Sequence, residues 1–98
     1  MALEIIWSRR ALKDFHQVLH YLEHHWGENI ARAFVHRTED ILHKISENPE
    51  LFKETIKKLQ LREAIITKHN LMIYKLESNQ VILLSIFDTR QHPKKKLR

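Results

Sequence analysis

The chain has 98 residues, of which 43% are hydrophobic and 30% charged, and this balance predicts one soluble globular domain over residues 1–98. Seventeen lysines and arginines against 12 acidic residues give a net charge of +5, which suits a nucleic-acid phosphate surface or an acidic protein partner. The absence of cysteine excludes disulfides, thiolate catalysis and cysteine-based zinc sites. No apolar run approaches the ~20 residues of a membrane span, and the first residues lack a signal-peptide layout, so we expect a cytoplasmic protein.

The chain opens with a predicted strand that leads into a helix. Residues 2–7 are apolar and rich in β-branched side chains, which predicts a strand, and Ser8 after them is a good helix N-cap. From Arg9 to about His25 the apolar residues recur at spacings of three and four, which predicts an amphipathic helix. Gly27, the only glycine, fits a helix C-cap that needs a positive φ.

A second helix is predicted from about residue 28 to residue 47, where Asn48-Pro49 ends it. Arg37 and Thr38 interrupt the middle of its apolar face. Because very few residues join the two helices, we expect them to pack as an antiparallel hairpin. Four aromatic residues fall on the apolar faces and are predicted to lie in the core: Trp7, Phe15, Trp26 and Phe34.

The second half of the chain changes from a helical to an alternating period. Residues 50–57 are predicted to be a connector, which has room for one short helical turn. Three strands are predicted, at 59–66, 71–76 and 81–87, with short polar breaks between them that are typical of hairpin turns. The sequence therefore predicts an α+β fold of order β-α-α-β-β-β, with an antiparallel helical hairpin packed on one face of a twisted, mainly antiparallel four-stranded sheet.

Local patterns in this order resemble the RelE/ParE toxin superfamily over nearly the whole chain. The patterns are Trp7 before a helix with Ala11, Asp14 and Phe15; Tyr21 and Trp26-Gly27 at the helix junction; Ile45…Asn48-Pro49; Leu61-Arg62; His69…Ile73-Tyr74; and Ile86…Asp88-Thr89-Arg90-Gln91…Pro93-Lys94. The last segment resembles the "Asp-x-Arg-x-x-Pro" ending and is the most specific of them. The resemblance implies a growth-inhibiting toxin of a plasmid-stabilisation type, silenced in a hetero-oligomer by a cognate antitoxin that folds on binding.

The superfamily contains two activities, and the sequence has features of both. RelE-like members cut mRNA in the ribosome, and the resemblance makes Arg62, Arg90 and His92 the candidate catalytic residues for that chemistry, with His69 as a further candidate base. However, Pro93 stands where the RNase branch has an aromatic acid, and no tyrosine follows Tyr74. This departure favours the ParE-like activity, which is inhibition of DNA gyrase and needs a binding surface instead of a catalytic constellation.

The residues predicted to contact RNA phosphate or a protein target are basic: Lys57, Lys58, Arg62, Arg90, Lys94 and Lys95. No cofactor and no metal site are predicted, because the helical stripe of His16, His20 and His24 drifts around the helix and fits a solvated flank. Tyr74 is expected to be half-buried with its hydroxyl bonded. A third possibility is a non-toxic nucleic-acid-binding module, since the fold alone does not determine function.

Overall fold

The computed structural model describes residues 2–56 and 60–89. Within these ranges the chain forms two helices and five strands: β1 (Glu4–Trp7), α1 (Arg9–Trp26), α2 (Glu28–Glu47), β2 (Glu54–Ile56), β3 (Leu61–Thr67), β4 (Asn70–Glu77) and β5 (Gln80–Asp88). The predicted fold class is confirmed, since the helices form a hairpin whose apolar side chains pack with those of the sheet in one core. None of the described helices combines the length and apolarity needed to cross a membrane.

The described strands form one mixed sheet in the order β1-β5-β4-β3-β2. β1 runs parallel to β5, and the other neighbours are antiparallel, so the sheet is mainly antiparallel as predicted. The connector 50–57 differs from its prediction, because it contributes the short strand β2 to the edge of the sheet. Glu54 pairs with Arg62 there. A three-residue strand is too short to show a readable alternation, and β3 supplies its partner.

Both ends of α1 are capped as the sequence predicts. The Ser8 side-chain oxygen accepts a hydrogen bond of 3.0 Å from the backbone N–H of Ala11. Gly27 has a φ of +96° and donates its N–H to the Glu23 carbonyl at 3.1 Å. Since Gly27 is also the residue before α2, one glycine ends the first helix and starts the second, which explains the sharp hairpin.

The core lies between the helical hairpin and the sheet. Its buried members come from α1, α2 and the three long strands: Ala11, Phe34, Ile41, Ile45, Ala64, Ile66, Met72, Tyr74, Val81, Leu83 and Ile86. Phe15 links them to the edge of the sheet, with its ring centroid 5.1 Å from that of Trp7 and 5.7 Å from that of Phe34. Three of the four predicted core aromatics therefore pack as expected.

Two polar residues on the apolar face of α2 have specific structural roles. The Thr38 hydroxyl donates to the Phe34 carbonyl at 2.8 Å within the helix, so it is satisfied although the residue is buried. The Arg37 Nε donates to the Ile66 carbonyl at 2.5 Å and so ties α2 to β3. The interruption seen in the sequence thus marks the place where the helix is fastened to the sheet.

The prediction that Trp26 lies in the core is wrong, because 62% of this residue is exposed. Ile30, at the start of α2, is 48% exposed. Both residues lie on the apolar faces of their helices, next to the Gly27 turn. The rest of the fold therefore covers this end of the hairpin only in part, and the period of a helix does not reveal where the covering residues end.

Candidate functional site

The predicted site residues are divided between the described and the undescribed parts of the chain. Arg62 and His69 lie on or beside β3 and can be placed. Six others lie outside the described residues: Lys57, Lys58, Arg90, His92, Lys94 and Lys95. Arg62, His69 and the surfaces around them therefore form the described part of the site.

Arg62 lies near the start of β3, opposite Tyr74 of β4. It lies on the same face of β3 as the buried residues Ala64 and Ile66, so its side chain is on the side of the sheet that faces the helices. The Nη1 atom donates to the Phe52 carbonyl at 2.6 Å. This bond uses part of the guanidinium to hold the connector between α2 and β2, a role that the sequence did not indicate.

Tyr74 holds the same connector from the neighbouring strand. Its hydroxyl donates to the Pro49 carbonyl at 2.9 Å, and the residue is fully buried instead of half-buried as expected. Burial raises the pKa of the Tyr74 hydroxyl above its ordinary value of 10.0, although the Arg62 charge and a hydrogen bond with the Phe52 backbone act in the opposite direction. Arg62 and Tyr74 therefore form a polar clamp beneath residues 49–52.

His69 lies in the turn between β3 and β4, at the other end of β3 from Arg62. Its backbone N–H donates to the Thr67 hydroxyl at 3.1 Å, and the same hydroxyl donates to the Asn70 side chain at 2.8 Å. The His69 carbonyl accepts the backbone N–H of Thr89 at 2.9 Å. This turn is thus held by its own hydrogen bonds and is bonded to the end of β5.

An apolar groove opens between the tip of the helical hairpin and this turn. It encloses about 480 Å³ and is lined by Leu22, Trp26, Ile30, Ala33, Phe34, Arg37, Thr67, His69 and Asn70. The helices supply its apolar wall, and Arg37, Thr67, His69 and Asn70 supply a polar border. Sequence reasoning missed this groove because it assigned Trp26 to the core, although a tryptophan beside a helix-breaking glycine was a usable signal for an end left uncovered.

The histidine stripe of α1 lies on the solvent side of the hairpin. His16, His20 and His24 are all exposed, and the rings of His20 and His24 lie nearly parallel with centroids 6.4 Å apart. Among residues 2–56 and 60–89, no three histidine or acidic side chains are placed to hold a metal ion together. Two members of the stripe, His16 and His20, line a second groove together with Glu23, Glu28 and Arg32.

Several solved structures with the same architecture come from bacterial toxin–antitoxin systems. The chromosomal ParDE system of P. aeruginosa matches with a TM-score of 0.75 and 11% identity, over 89% of this chain and 96% of that one. The RelBE2 toxin–antitoxin complex of Mycobacterium tuberculosis matches with a TM-score of 0.63 and 16% identity, over 90% and 99%. The YoeB dimer of Staphylococcus aureus matches with a TM-score of 0.63 and 18% identity, over 89% and 97%. The fold is that of the RelE/ParE toxin superfamily.

The match to a family model identifies one family within this superfamily. Residues 5–93 match the family model described as the ParE toxin of the type II toxin–antitoxin system parDE, and the chain belongs to this family. A comparison with curated proteins found no significant match. The protein is thus the toxin of a type II toxin–antitoxin system, and the predicted resemblance is confirmed.

Proposed function

We propose that this toxin inhibits DNA gyrase, that it acts in the cytoplasm as one domain, and that a cognate antitoxin silences it by occupying the apolar groove. Membership of the ParE toxin family carries the choice of target, and the separation of Arg62 from His69, the described candidates for cation and base, supports it. RNA cleavage requires a base, a cation for the crowded phosphorane and an acid, all within a few ångströms of one phosphate.

The described candidates for cation and base lie at opposite ends of a strand. From Arg62 to Thr67, the last residue of β3, there are five residue steps, or about 17 Å at the usual rise of a strand. His69 lies beyond that end, in the turn. A base and a cation that far apart do not share a scissile phosphate.

Tyr74 is also unsuited to serve as the acid. It is fully buried, its proton is donated to the Pro49 carbonyl, and burial raises its pKa. A group in that position has no path to a leaving oxygen. The membership in the ParE family and the missing constellation among the described residues both support a toxin that acts by binding.

Binding to gyrase requires a surface, and the basic residues of this chain can provide it. We propose that the target contacts come from Lys57, Lys58, Arg62, Arg90, Lys94 and Lys95. Arg62 has five donor N–H groups, so its bond to the Phe52 carbonyl leaves others for a partner. Clustered positive charge accelerates the encounter with an acidic or DNA-bound surface and gives the binding a steep salt dependence.

The apolar groove is suited to the antitoxin. Trp26 and Ile30 are large apolar residues exposed side by side in a concave surface, which is the usual character of an interface hot spot. Arg37 and His69 border the groove, and Lys68 is the neighbour of His69 in the turn. An amphipathic helical segment with acidic flanks matches both the apolar wall and the positive border.

A pair of target assays tests the choice of activity. The purified toxin is added to a gyrase supercoiling reaction and, separately, to a message bound on ribosomes. We expect loss of supercoiling with intact RNA. Codon-phased cleavage of the message with normal supercoiling would instead establish the RelE-like activity and overturn the proposal.

A variant pair locates the target surface in the same assay. Arg90→Ala removes a cation of the predicted surface and is expected to weaken gyrase inhibition by about tenfold or more, as loss of a charged interface contact commonly does. Lys75→Ala is the matched control, because Lys75 lies on β4 and pairs only weakly with Glu77 at 3.3 Å. Equal inhibition by the two variants would exclude a role of Arg90 in target binding.

A growth experiment tests the toxin itself. Expression of the chain alone is expected to arrest growth, and co-expression with the antitoxin gene beside it is expected to restore growth. Harmless expression at verified protein levels would contradict toxicity and favour a plain nucleic-acid-binding module.

A further inference from the structure

β5 changes its neighbour halfway along its length. Its first residues, from Gln80 to Leu83, pair in parallel with β1, which ends at Trp7. Beyond Leu83 that edge of β5 has no partner strand among the described residues, and the first two turns of α1 lie beside it instead. An unpaired strand edge exposes N–H and C=O groups that need other partners.

Three hydrogen bonds join groups on this edge to Ser8 and Asp14 at the start of α1. The backbone N–H of Ser8 donates to the Leu83 carbonyl at 3.1 Å, and the Ser8 hydroxyl donates to the Leu84 carbonyl at 3.2 Å. The backbone N–H of Ile86 donates to Oδ2 of Asp14 at 3.0 Å. Asp14 thus takes the place of a strand carbonyl, across 72 positions of the sequence.

The same stretch of β5 contains a bulge. On the β4 side, Ile73 pairs with Ser85 and Tyr74 pairs with Leu83, so Leu84 is an extra residue. A bulge bends its strand and changes the direction in which the strand continues. The bond from Ile86 to Asp14 lies two residues after the extra residue, at the start of the stretch that continues in the new direction.

The Asp14 carboxylate is well placed to hold that direction. Its side chain is only 12% exposed, and its second contact is an ion pair with Arg10 at 3.3 Å. The Arg10 side chain is 67% exposed, so the ion pair is screened by solvent and adds little. A charge-assisted bond to a backbone N–H is the stronger of the two contacts.

We propose that Asp14 is a positioning residue of the toxin, which fixes the direction of β5 after the bulge and thereby the position of Asp88 and Thr89, after which the basic end of the sequence begins. β5 ends at Asp88, Thr89 is bonded to the His69 carbonyl, and Arg90 follows at once. This inference rests on the proposed function, because it links Asp14 to the target surface that includes Arg90.

Four variants test the proposal. Asp14→Ala removes the acceptor, Asp14→Asn keeps an acceptor oxygen in place, and Asp14→Glu keeps the charge but shifts the carboxylate by one methylene. Arg10→Ala is the control that removes only the exposed ion pair. Each folded variant is measured for gyrase inhibition, for antitoxin affinity and for hydrogen exchange at the Ile86 amide.

We expect Asp14→Ala and Asp14→Glu to weaken gyrase inhibition about tenfold and to speed exchange at the Ile86 amide by a similar factor, because the local opening of β5 becomes easier. Antitoxin affinity is expected to stay within about threefold, since the apolar wall of the groove comes from the helices near Gly27 and Asp14 is not among the lining residues. Asp14→Asn, which keeps an acceptor oxygen but loses the charge, is expected to retain most of the inhibition, and Arg10→Ala is expected to behave like the wild-type chain.

Three outcomes overturn the proposal. Wild-type inhibition by Asp14→Ala, or equal inhibition by the Asn and Glu variants, shows that the bond does not matter for the target surface. A parallel loss of inhibition and antitoxin affinity assigns Asp14 a general structural role. The comparison of Asp14→Glu with Asp14→Asn does not depend on Asp14→Ala. It therefore tests the positioning role even if Asp14→Ala does not fold.

A failure of the proposed function can be distinguished from a failure of the positioning role. If the wild-type toxin arrests growth without inhibiting gyrase, gyrase is not the target, and the growth arrest caused by the Asp14 variants then takes the place of the supercoiling assay. Arrest by Asp14→Glu as strong as that by Asp14→Asn contradicts the positioning role in that case as well.

Discussion

The two ends of the helical hairpin carry similar apolar residues, but only one end is covered. At the end where α1 begins and α2 finishes, Ala11 and Ile45 are completely buried against the sheet. At the tip, on either side of Gly27, Trp26 and Ile30 are 62% and 48% exposed. The same helical stripe therefore contributes to the stability of the fold at one end and to a binding surface at the other.

Shortening a side chain at the covered end of the hairpin is expected to have the largest effect on the free energy of unfolding. Ile45→Ala leaves a cavity between α2 and the sheet and should lower the free energy of unfolding by about 2–5 kcal/mol. The matched change at the tip, Ile30→Ala, should alter it by no more than about 0.5 kcal/mol, because the side chain is half exposed. Urea denaturation of both variants measures the contrast, and equal losses would show that the tip is also part of the core.

Shortening a side chain at the tip of the hairpin is expected to weaken antitoxin binding. Trp26→Ala should weaken the affinity for the antitoxin by about 30-fold or more, which corresponds to the loss of one hot-spot residue. When no antitoxin is present, the toxicity of this variant should equal that of the wild type. Leu51→Ala is the control, because Leu51 is 47% exposed but lies outside the groove. Calorimetric titration measures both, and unchanged affinity of the Trp26 variant would place the antitoxin elsewhere.

The turn between the two ends can be tested separately. Gly27→Ala should lower the free energy of unfolding by about 1–3 kcal/mol, because an L side chain is strained at a φ of +96°. The added Cβ would meet no atom within 4 Å, so the cost is one of backbone conformation and not of steric contact. Thermal unfolding measures it, and an unchanged melting temperature would mean that the turn relaxes without cost.

The smallest expected effect concerns the clamp beneath the connector. Tyr74→Phe should lower the free energy of unfolding by about 0.5–1.5 kcal/mol, because the Pro49 carbonyl loses its donor.

The same residue predicts a pH dependence. Since the folded pKa of Tyr74 is raised above 10.0, its contribution to stability is complete below pH 10 and is lost as the pH rises through the folded value. Unfolding curves from pH 8 to 11 should therefore show a steeper alkaline loss for the wild type than for Tyr74→Phe. Identical slopes would contradict the burial of the hydroxyl.

The elements that sequence reasoning placed well have strong local signals. The bounds of α2, Glu28–Glu47, follow from Gly27 on one side and Asn48-Pro49 on the other. Ser8 and Gly27 have the capping roles that their chemistry suggests. β2 was missed because three residues show no period, and Trp26 was misplaced because periodicity identifies a face but not its cover.

The candidate site was only partly predictable for a similar reason. Arg62 was recognised as a special residue by resemblance, but its partner is the Phe52 carbonyl, ten positions earlier in the chain. The separation of Arg62 from His69 by the length of β3 could be seen only once the register of the sheet was known. Asp14 gave no sign of its bond to Ile86, since a carboxylate on an amphipathic helix ordinarily faces solvent.

The sequence by itself determined the order of the elements, the tight helical hairpin and membership of a toxin family, because caps, turns and periodicity act between near neighbours in the chain. Only the tertiary structure decided which apolar residues are covered, which polar groups hold the connector and the bulge of β5, and where a partner finds an open groove. Those properties depend on contacts between residues far apart in the chain, whose geometry is set by how far the sheet extends beneath the helices.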